Sequence, residues 1–129
     1  MAKIKLLVDT DIFIDYFNHG KFSELFNHPK IDVHYSVVTR KELLSKSGLK
    51  DSEKKAIEAV LTRCREIFLN FRITELYTEI KRRYPSLEKE DALIAATALS
   101  RHLPLVTRNR RHFKFIQGLT LFSPPPNGG

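Results

Sequence analysis

The stretch IKLLVDTDIFIDYF, residues 4–17, decides the fold class. Its first five residues are apolar except for Lys5, which is typical of a short strand buried on both faces of a parallel sheet. Asp9 ends this strand, and residues 11–17 are expected to form a helix. A strand that passes directly into a helix favours an α/β fold.

The alternation of strands and helices continues along the chain. Residues 33–38 (VHYSVV) are mostly β-branched or aromatic, which predicts a second strand. Thr39 and Glu42 have the spacing of a capping box before two leucines, so a helix is expected to begin there. Further patterns predict helices over residues 52–65, 74–83 and 88–102, and strands over residues 67–73, 104–106 and 119–122. This order predicts an α/β sandwich around a mostly parallel sheet.

Length and composition are those of one folded domain. The chain has 129 residues, of which 42% are apolar and 29% are charged, which excludes a disordered or membrane-spanning class. We expect residues 1–122 to form the domain. Residues 123–129 (SPPPNGG) are expected to form a flexible tail, because proline and glycine disfavour helices and internal strands.

Charge and cysteine content indicate the setting of the protein. Lysine and arginine number 22 against 15 acidic residues, a formal net charge of +7. Such a surplus favours a polyanionic partner or serves solubility alone. Cys64 is the single cysteine, so a disulfide within the chain is impossible and a reducing compartment is indicated. The apolar start is too short for a signal peptide, and we expect a cytoplasmic protein.

Acidic and amide side chains follow the predicted strands. Asp9 ends the first strand, Glu42 follows the second by one turn, and Asn109 lies just past residues 104–106. The carboxyl ends of parallel strands form one edge of a sheet, where ligands bind. Asp91 begins the stretch DALIAATAL, whose alanines allow a helix to pack closely on the sheet. We therefore expect Asp9, Glu42, Asp91 and Asn109 to meet in one crevice.

Carboxylates gathered in one crevice repel each other and need a cation or a shared proton. Oxygen ligands without partnering cysteines favour Mg²⁺ or Mn²⁺ over Zn²⁺, and such an ion can activate water against a phosphodiester. Each acid also has a simpler explanation. Asp9 and Asp91 suit helix N-termini, and Glu42 suits a capping box. Of the other acids, Asp11 and Asp15 are expected at a helix surface or as caps, and Glu88 and Glu90 as solvated first-turn residues, although either of these two could reach the site.

Four blocks of the sequence resemble PIN domains, and most of all the VapC-type toxin ribonucleases. They are LLVDTDIFIDYF (6–17), VTRKELL (38–44), EDALIAATAL (90–99) and LVTRNRRHF (105–113). The resemblance covers nearly the whole chain. It implies a three-layer α/β/α sandwich with a central parallel sheet, a Mg²⁺ or Mn²⁺ site, and cleavage of single-stranded RNA. It also implies a homodimer that is held inactive by a small antitoxin.

The resemblance assigns roles to individual residues. Asp9, Glu42 and Asp91 match the three recurrent acids of the family, and Thr107 matches a threonine that supports the site. Asn109 stands where many members have aspartate and others asparagine. Asparagine keeps an oxygen ligand but removes one negative charge, so a second ion would bind less tightly and a site with one ion becomes plausible.

A basic block lies beside Asn109. We expect RNA phosphates to be contacted by Arg108, Arg110, Arg111 and Lys114. Arg40 and Lys41 are next to Glu42 in the sequence and could contact the same RNA strand. Phe113 and Phe115 could stack on bases, but alternating aromatic residues are more often part of a core. The five histidines show no metal-ligand spacing and are expected to be structural or at the surface.

Two other functions fit parts of the sequence. Asp9-Thr-Asp11 after an apolar strand resembles the first motif of haloacid dehalogenase-like phosphatases, in which Asp9 would be a nucleophile and Asp11 a general acid. The chain lacks a later Gly-Asp-rich acidic motif and has little room for a cap domain. A non-catalytic PIN-like module that binds RNA or acts as a scaffold is the other alternative, and Asn109 is the residue that permits it.

Overall fold

The structure is a computed structural model that describes residues 2–123. Strands and helices alternate along these residues. The strands are β1 (Ile4–Val8), β2 (Ile31–Ser36), β3 (Arg65–Ile67), β4 (Leu105–Val106) and β5 (Leu121–Phe122). The helices are α1 (Thr10–His19), α2 (Ser23–Asn27), α3 (Val37–Leu44), α4 (Asp51–Thr62), α5 (Phe71–Arg83), α6 (Lys89–Arg101) and α7 (Arg110–Phe113).

The five strands form one parallel sheet in the order β3-β2-β1-β4-β5. From β1 the chain moves outward to β2 and β3 and then returns to the other side of β1 for β4 and β5. Leu7 of β1 is consequently in register with His34 on one side and with Leu105 on the other. The strand order reverses between the neighbouring strands β1 and β4, and crevices form at such points beyond the carboxyl ends of the strands.

Successive residues of β1 face opposite sides of the sheet and bury two separate cores. Leu7 packs in a core with side chains of α5 and α6, while Leu6 and Val8 pack in a core with side chains of α1 and α4. All three are fully buried. Helices thus cover both faces of a parallel sheet, which confirms the predicted three-layer α/β/α sandwich.

Small side chains let α6 lie close to the sheet. Ala92, Ala95 and Ala96 are fully buried, and Ala98 is nearly so. This close packing carries the first turn of α6, with Asp91, to the carboxyl edge of the sheet. None of the helices in residues 2–123 is long and apolar enough to cross a membrane.

The boundary predicted between the second strand and its helix is wrong by two residues. α3 begins at Val37 rather than at Thr39, because Ser36 caps it through a hydrogen bond from the Val38 amide to the Ser36 hydroxyl (3.1 Å). Thr39 and Glu42 therefore do not form a capping box. They lie one helical turn apart, and both bond to α1.

The strand predicted over residues 67–73 is also largely wrong. β3 ends at Ile67, and α5 begins at Phe71 because the Asn70 side chain accepts a hydrogen bond from the Ile73 amide (2.9 Å). The short helices α2 and α7 were not predicted. The proposed tail lies outside the described residues except for Ser123.

Candidate active site

A hydrogen bond between the ends of β1 and β4 lies at the centre of the site. The Thr107 hydroxyl donates to Asp9 Oδ2 (2.8 Å), and the Thr10 amide donates to Asp9 Oδ1 (2.8 Å). Asp9 caps α1 and is only 6% exposed. Both carboxylate oxygens are thus held in place at the point where the strand order reverses.

A chain of hydroxyl groups orients Glu42. The Thr10 hydroxyl donates to Glu42 Oε1 (2.9 Å) and lies 2.9 Å from the Thr39 hydroxyl. Since Thr10 has one hydroxyl proton and uses it for Glu42, Thr39 is the donor to Thr10. Both threonines are buried, so α3 and α1 hold the Glu42 carboxylate next to Asp9.

Asp91 lies in the first turn of α6, where the positive end of the helix favours a carboxylate. His112 of α7 approaches it, with 3.2 Å between His112 Nδ1 and Asp91 Oδ2. This contact joins α7 to α6 across the entrance of the site. His112 is half exposed, which agrees with the expectation that the histidines are structural or at the surface, but its contact with Asp91 was not predicted from the sequence.

Asp11 and Asp15 are not surface acids, contrary to expectation. Asp15 is 5% exposed and forms an ion pair with Arg108, with Nη1 at 3.0 Å from Oδ2. Asp11 accepts a hydrogen bond from the Arg108 amide (3.2 Å) through Oδ2, and the Arg108 Nε lies 3.8 Å from the same oxygen. Asp11 Oδ1 is buried and has no hydrogen-bond partner in residues 2–123.

One cavity of about 170 Å³ joins the candidate residues. We call it the acidic cavity. The polar side chains that line it belong to Asp9, Thr10, Asp11, Glu42, Glu90, Asp91 and Asn109. The structure thus brings together the four residues that the sequence placed in one crevice, together with Glu90, one of the two first-turn acids considered able to reach it, and it adds Asp11. Thr107 lies directly behind Asp9, and it also accepts a hydrogen bond from the Asn109 amide (3.1 Å).

Burial, and after it repulsion between neighbouring carboxylates, raises the pKa of four carboxyl groups of this cavity, those of Asp9, Asp11, Glu42 and Asp91. Burial, then the neighbouring Asp11, raises the pKa of Asp9 to about 7, although hydrogen bonds from Thr107 and Thr10 oppose the shift. The pKa values of Asp11, Glu42 and Asp91 are raised as well, in each case chiefly by burial. A cation in the cavity would therefore relieve an unfavourable concentration of negative charge.

The donor atoms fit a hard divalent cation. They are carboxylate, amide and hydroxyl oxygens, and the buried Asp11 Oδ1 is an acceptor that finds no proton donor in the described part of the chain. Among residues 2–123, however, no three Asp, Glu, His or Cys side chains converge closely enough to hold an ion as they stand. Glu42 is turned towards Thr10 and Asp91 towards His112, so coordination by all of them requires rotation of side chains.

The basic residues near the cavity have different roles. Arg108 lies against Asp15 and Asp11, whereas Arg110, Arg111 and Lys114 are exposed around α7. Arg40 does not point towards the site as expected. Its guanidinium donates to Glu58 (2.7 Å) and Glu66 (3.0 Å) on the other side of α3.

Comparison with known proteins covers the whole site. A model of the PIN domain family matches residues 6–118. Ribonuclease VapC1 of Methanocaldococcus jannaschii is 30% identical over 128 residues, which cover 92% of this chain and 87% of that protein. A toxin–antitoxin complex from Klebsiella pneumoniae superposes with a TM-score of 0.76 at 27% identity, over 89% of this chain and 95% of that one. VapBC2 from Rickettsia felis, bound to a DNA fragment from its promoter, superposes with a TM-score of 0.79 at 24% identity, over 95% and 100% of the two chains.

Proposed function

The chain belongs to the PIN domain family, and from this premise we propose that it is a divalent-metal-dependent endoribonuclease that hydrolyses RNA at the acidic cavity. One observation carries the proposal. Asp9, Asp11, Glu42 and Asp91 share one cavity at the carboxyl edge of the sheet, with raised pKa values, in a chain of net charge +7. Ribonuclease VapC1 of Methanocaldococcus jannaschii is similar over nearly the whole chain, which argues against the phosphatase alternative.

Asp9, Glu42 and Asp91 are the proposed ligands of Mg²⁺ or Mn²⁺, with the side-chain oxygen of Asn109 and Asp11 Oδ1 as further donors. When bound, the ion stabilises negative charge on the phosphoryl oxygens and makes the attacking water more acidic. The chain itself fixes the ligands. Thr107 and the Thr10 amide orient Asp9, and the Thr10 hydroxyl orients Glu42.

The exposed cations Arg110, Arg111 and Lys114 are proposed to hold phosphates of the RNA beside the cavity. Arg108 contributes differently. Its ion pair with the buried Asp15 fixes the loop after β4 against α1. Its guanidinium is half exposed and remains within the proposed track of the RNA.

Cleavage assays with a matched pair of variants test the proposal. The wild-type chain should cleave a single-stranded oligoribonucleotide in Mg²⁺ or Mn²⁺ and not in EDTA, and Asp91→Asn should abolish cleavage. Asp32→Asn is the control, because Asp32 is also largely buried and paired with Arg65 (3.1 Å) but lies near the start of β2, away from the site. Cleavage by Asp91→Asn at the wild-type rate would contradict the proposal. RNA binding that is unchanged in EDTA, without cleavage in any metal, would identify a non-catalytic module.

We propose a cognate antitoxin as the protein partner and the cytoplasm, a reducing compartment, as the location. Of the similar solved structures, the one from Klebsiella pneumoniae is a toxin–antitoxin complex and the one from Rickettsia felis is VapBC2. A mainly apolar groove of about 290 Å³, lined in part by Phe17, Leu43 and Ile57, borders the acidic cavity at Glu42. An antitoxin segment with an apolar face could fill this groove and place an arginine on the carboxylates. Co-purification with the product of the adjacent gene, and its loss in Ile57→Asp, would test this partner.

A homodimer is also proposed. Phe68 and Leu69 in the loop between β3 and α5, and Phe71 at the start of α5, are exposed, with 65%, 43% and 77% of their surface accessible. Clustered apolar side chains of this kind are typical of association surfaces. Light scattering should give a dimer mass for the wild type and a monomer mass for Phe71→Ser, while a monomeric wild type would contradict the proposal.

A further inference from the structure

A second cavity, of about 230 Å³, shares Asp91 with the acidic cavity. Its other lining residues include Leu87, which is buried, and Arg111, His112 and Phe115 from the segment around α7. We propose that this second cavity binds one base of the RNA, that of a nucleotide adjacent to the cleaved phosphate. The proposal rests on the ribonuclease function proposed above and names a substrate subsite for it.

The exposure of Phe115 is the first argument. Phe113 is fully buried in the core, whereas Phe115, two residues later, is 47% exposed. Its ring is nevertheless held in place by contacts with Tyr84. It packs edge-to-face with Tyr84 at 5.0 Å between centroids, and the Tyr84 hydroxyl donates to the Phe115 carbonyl (3.2 Å). A held, exposed aromatic ring is the feature on which proteins stack unpaired bases.

The charges of the cavity favour a base over a phosphate inside it. Apart from His112, which contacts Asp91, the charged side chains that line the cavity are two carboxylates, of Glu88 and Asp91, and one guanidinium, of Arg111, so a phosphate inside it would meet an excess of negative charge. A base is uncharged, and its polar edge can bond to these groups. Arg111, which is exposed, can contact the phosphate that remains outside. The His112–Asp91 contact of 3.2 Å fixes this cavity relative to the acidic cavity.

Fluorescence of 2-aminopurine tests the stacking directly. The base analogue is placed in turn at each position of a single-stranded oligoribonucleotide, and the RNA is bound to Asp9→Asn, which keeps the second cavity but should not cleave. We expect quenching at one position next to the cleavage site mapped with the wild type. In the same Asp9→Asn background, Phe115→Tyr should retain it, whereas Phe115→Leu should lose it and bind RNA roughly 5- to 150-fold more weakly, the range given by loss of one stacked base.

A second measurement separates Arg111 from general charge. Arg111→Ala should reduce the slope of log affinity against log salt concentration by about 1, the change expected for loss of one phosphate contact. Arg82→Ala is the control, because Arg82 is 73% exposed on α5 and pairs with Glu79, and the slope should not change. Thermal melts of all variants monitor folding.

The outcomes distinguish the two proposals. If the wild type cleaves RNA but Phe115→Leu and Phe115→Tyr match in quenching and affinity, the base-binding cavity is refuted and the ribonuclease function stands. If the wild type cleaves no RNA but binding and quenching still depend on Phe115, the ribonuclease function is refuted and the base-binding cavity stands.

Discussion

Replacing Asp9 by asparagine should stabilise the metal-free protein at alkaline pH although it abolishes cleavage. The folded chain raises the pKa of Asp9 to about 7, first through burial and next through Asp11. An unfolded aspartate titrates near 4, and a difference of about three pKa units corresponds to about 4 kcal/mol at about 1.4 kcal/mol per unit. At pH 8 the ionised Asp9 therefore lowers the free energy of unfolding by up to about this amount.

The sign follows from proton binding. A carboxyl group with a raised pKa binds its proton more tightly in the folded state, so the free energy of unfolding falls as pH rises from about 4 to about 7 and is flat above that. Asparagine has no such dependence. The stability advantage of Asp9→Asn should hence grow by about 1.4 kcal/mol per pH unit across that window.

The hydrogen bonds of Asp9 allow this replacement. An asparagine oxygen can accept from the Thr10 amide, as Asp9 Oδ1 does. Its NH₂ group would face Thr107, whose hydroxyl already accepts from the Asn109 amide and has a second lone pair. The Thr107 proton can then turn to Asp11 Oδ2, 3.5 Å away. Some bond strength is lost, and we expect a net gain of about 2–4 kcal/mol at pH 8.

Urea denaturation in EDTA at pH 5 and pH 8 measures the effect. Asp32→Asn is the control, since it removes the partner of Arg65 and should give no advantage that grows with pH. Adding Mg²⁺ should reverse the order by stabilising the wild type and not Asp9→Asn. The reasoning is refuted if Asp9→Asn is less stable than the wild type at pH 8, or if their difference is the same at both pH values.

Three further predictions concern two residues beside Asp9 and one, Arg40, on the other side of α3. Asn109→Asp adds a carboxylate to the acidic cavity and should raise Mg²⁺ affinity; unchanged or weaker binding in calorimetry would count against it. Thr107→Val removes a hydrogen bond that lowers the pKa of Asp9, so this pKa should rise. Mg²⁺ affinity should then fall between pH 8 and pH 7, and this fall should be larger in the variant than in the wild type. Arg40→Met breaks bonds to Glu58 and Glu66 and should lower the free energy of unfolding by about 1–3 kcal/mol; a changed KM for RNA would show that Arg40 contacts the substrate after all.

The strand ends were predictable because burial leaves a strong pattern. Leu6, Leu7 and Val8 are fully buried on the two faces of the sheet. In the sequence, such a strand is recognisable as a continuous apolar run that ends at an aspartate. Parallel strands then bring their carboxyl ends to one edge, so Asp9 and Asn109 could be placed together without any contact information. Glu42 lies in the cavity as expected, but the proposed capping box does not exist. Glu42 instead accepts a hydrogen bond from the Thr10 hydroxyl, which is bonded in turn to Thr39.

The sequence could not reveal contacts that depend on distant partners. Asp15 lies one helical turn beyond Asp11, and both are expected on a solvated face unless a cation is known to pack there. Arg108, 93 residues further on than Asp15, is that cation. Similarly, the alternation in residues 67–73 is typical of a strand, yet Phe68, Leu69 and Phe71 are exposed. The pattern there reflects a surface, which hydrophobic periodicity cannot distinguish from a core.

The charge distribution makes association with RNA and cleavage of RNA separable. The net charge of +7 and the cations around α7 attract a polyanion to the carboxyl edge of the sheet, but the carboxylates in the acidic cavity repel a phosphate at the position where it must react. Binding should therefore weaken steeply with salt and persist in EDTA, while cleavage should stop in EDTA at any salt concentration. Filter binding and cleavage assays in parallel test this. If EDTA abolished binding as completely as cleavage, the cations around α7 would not be what holds the RNA.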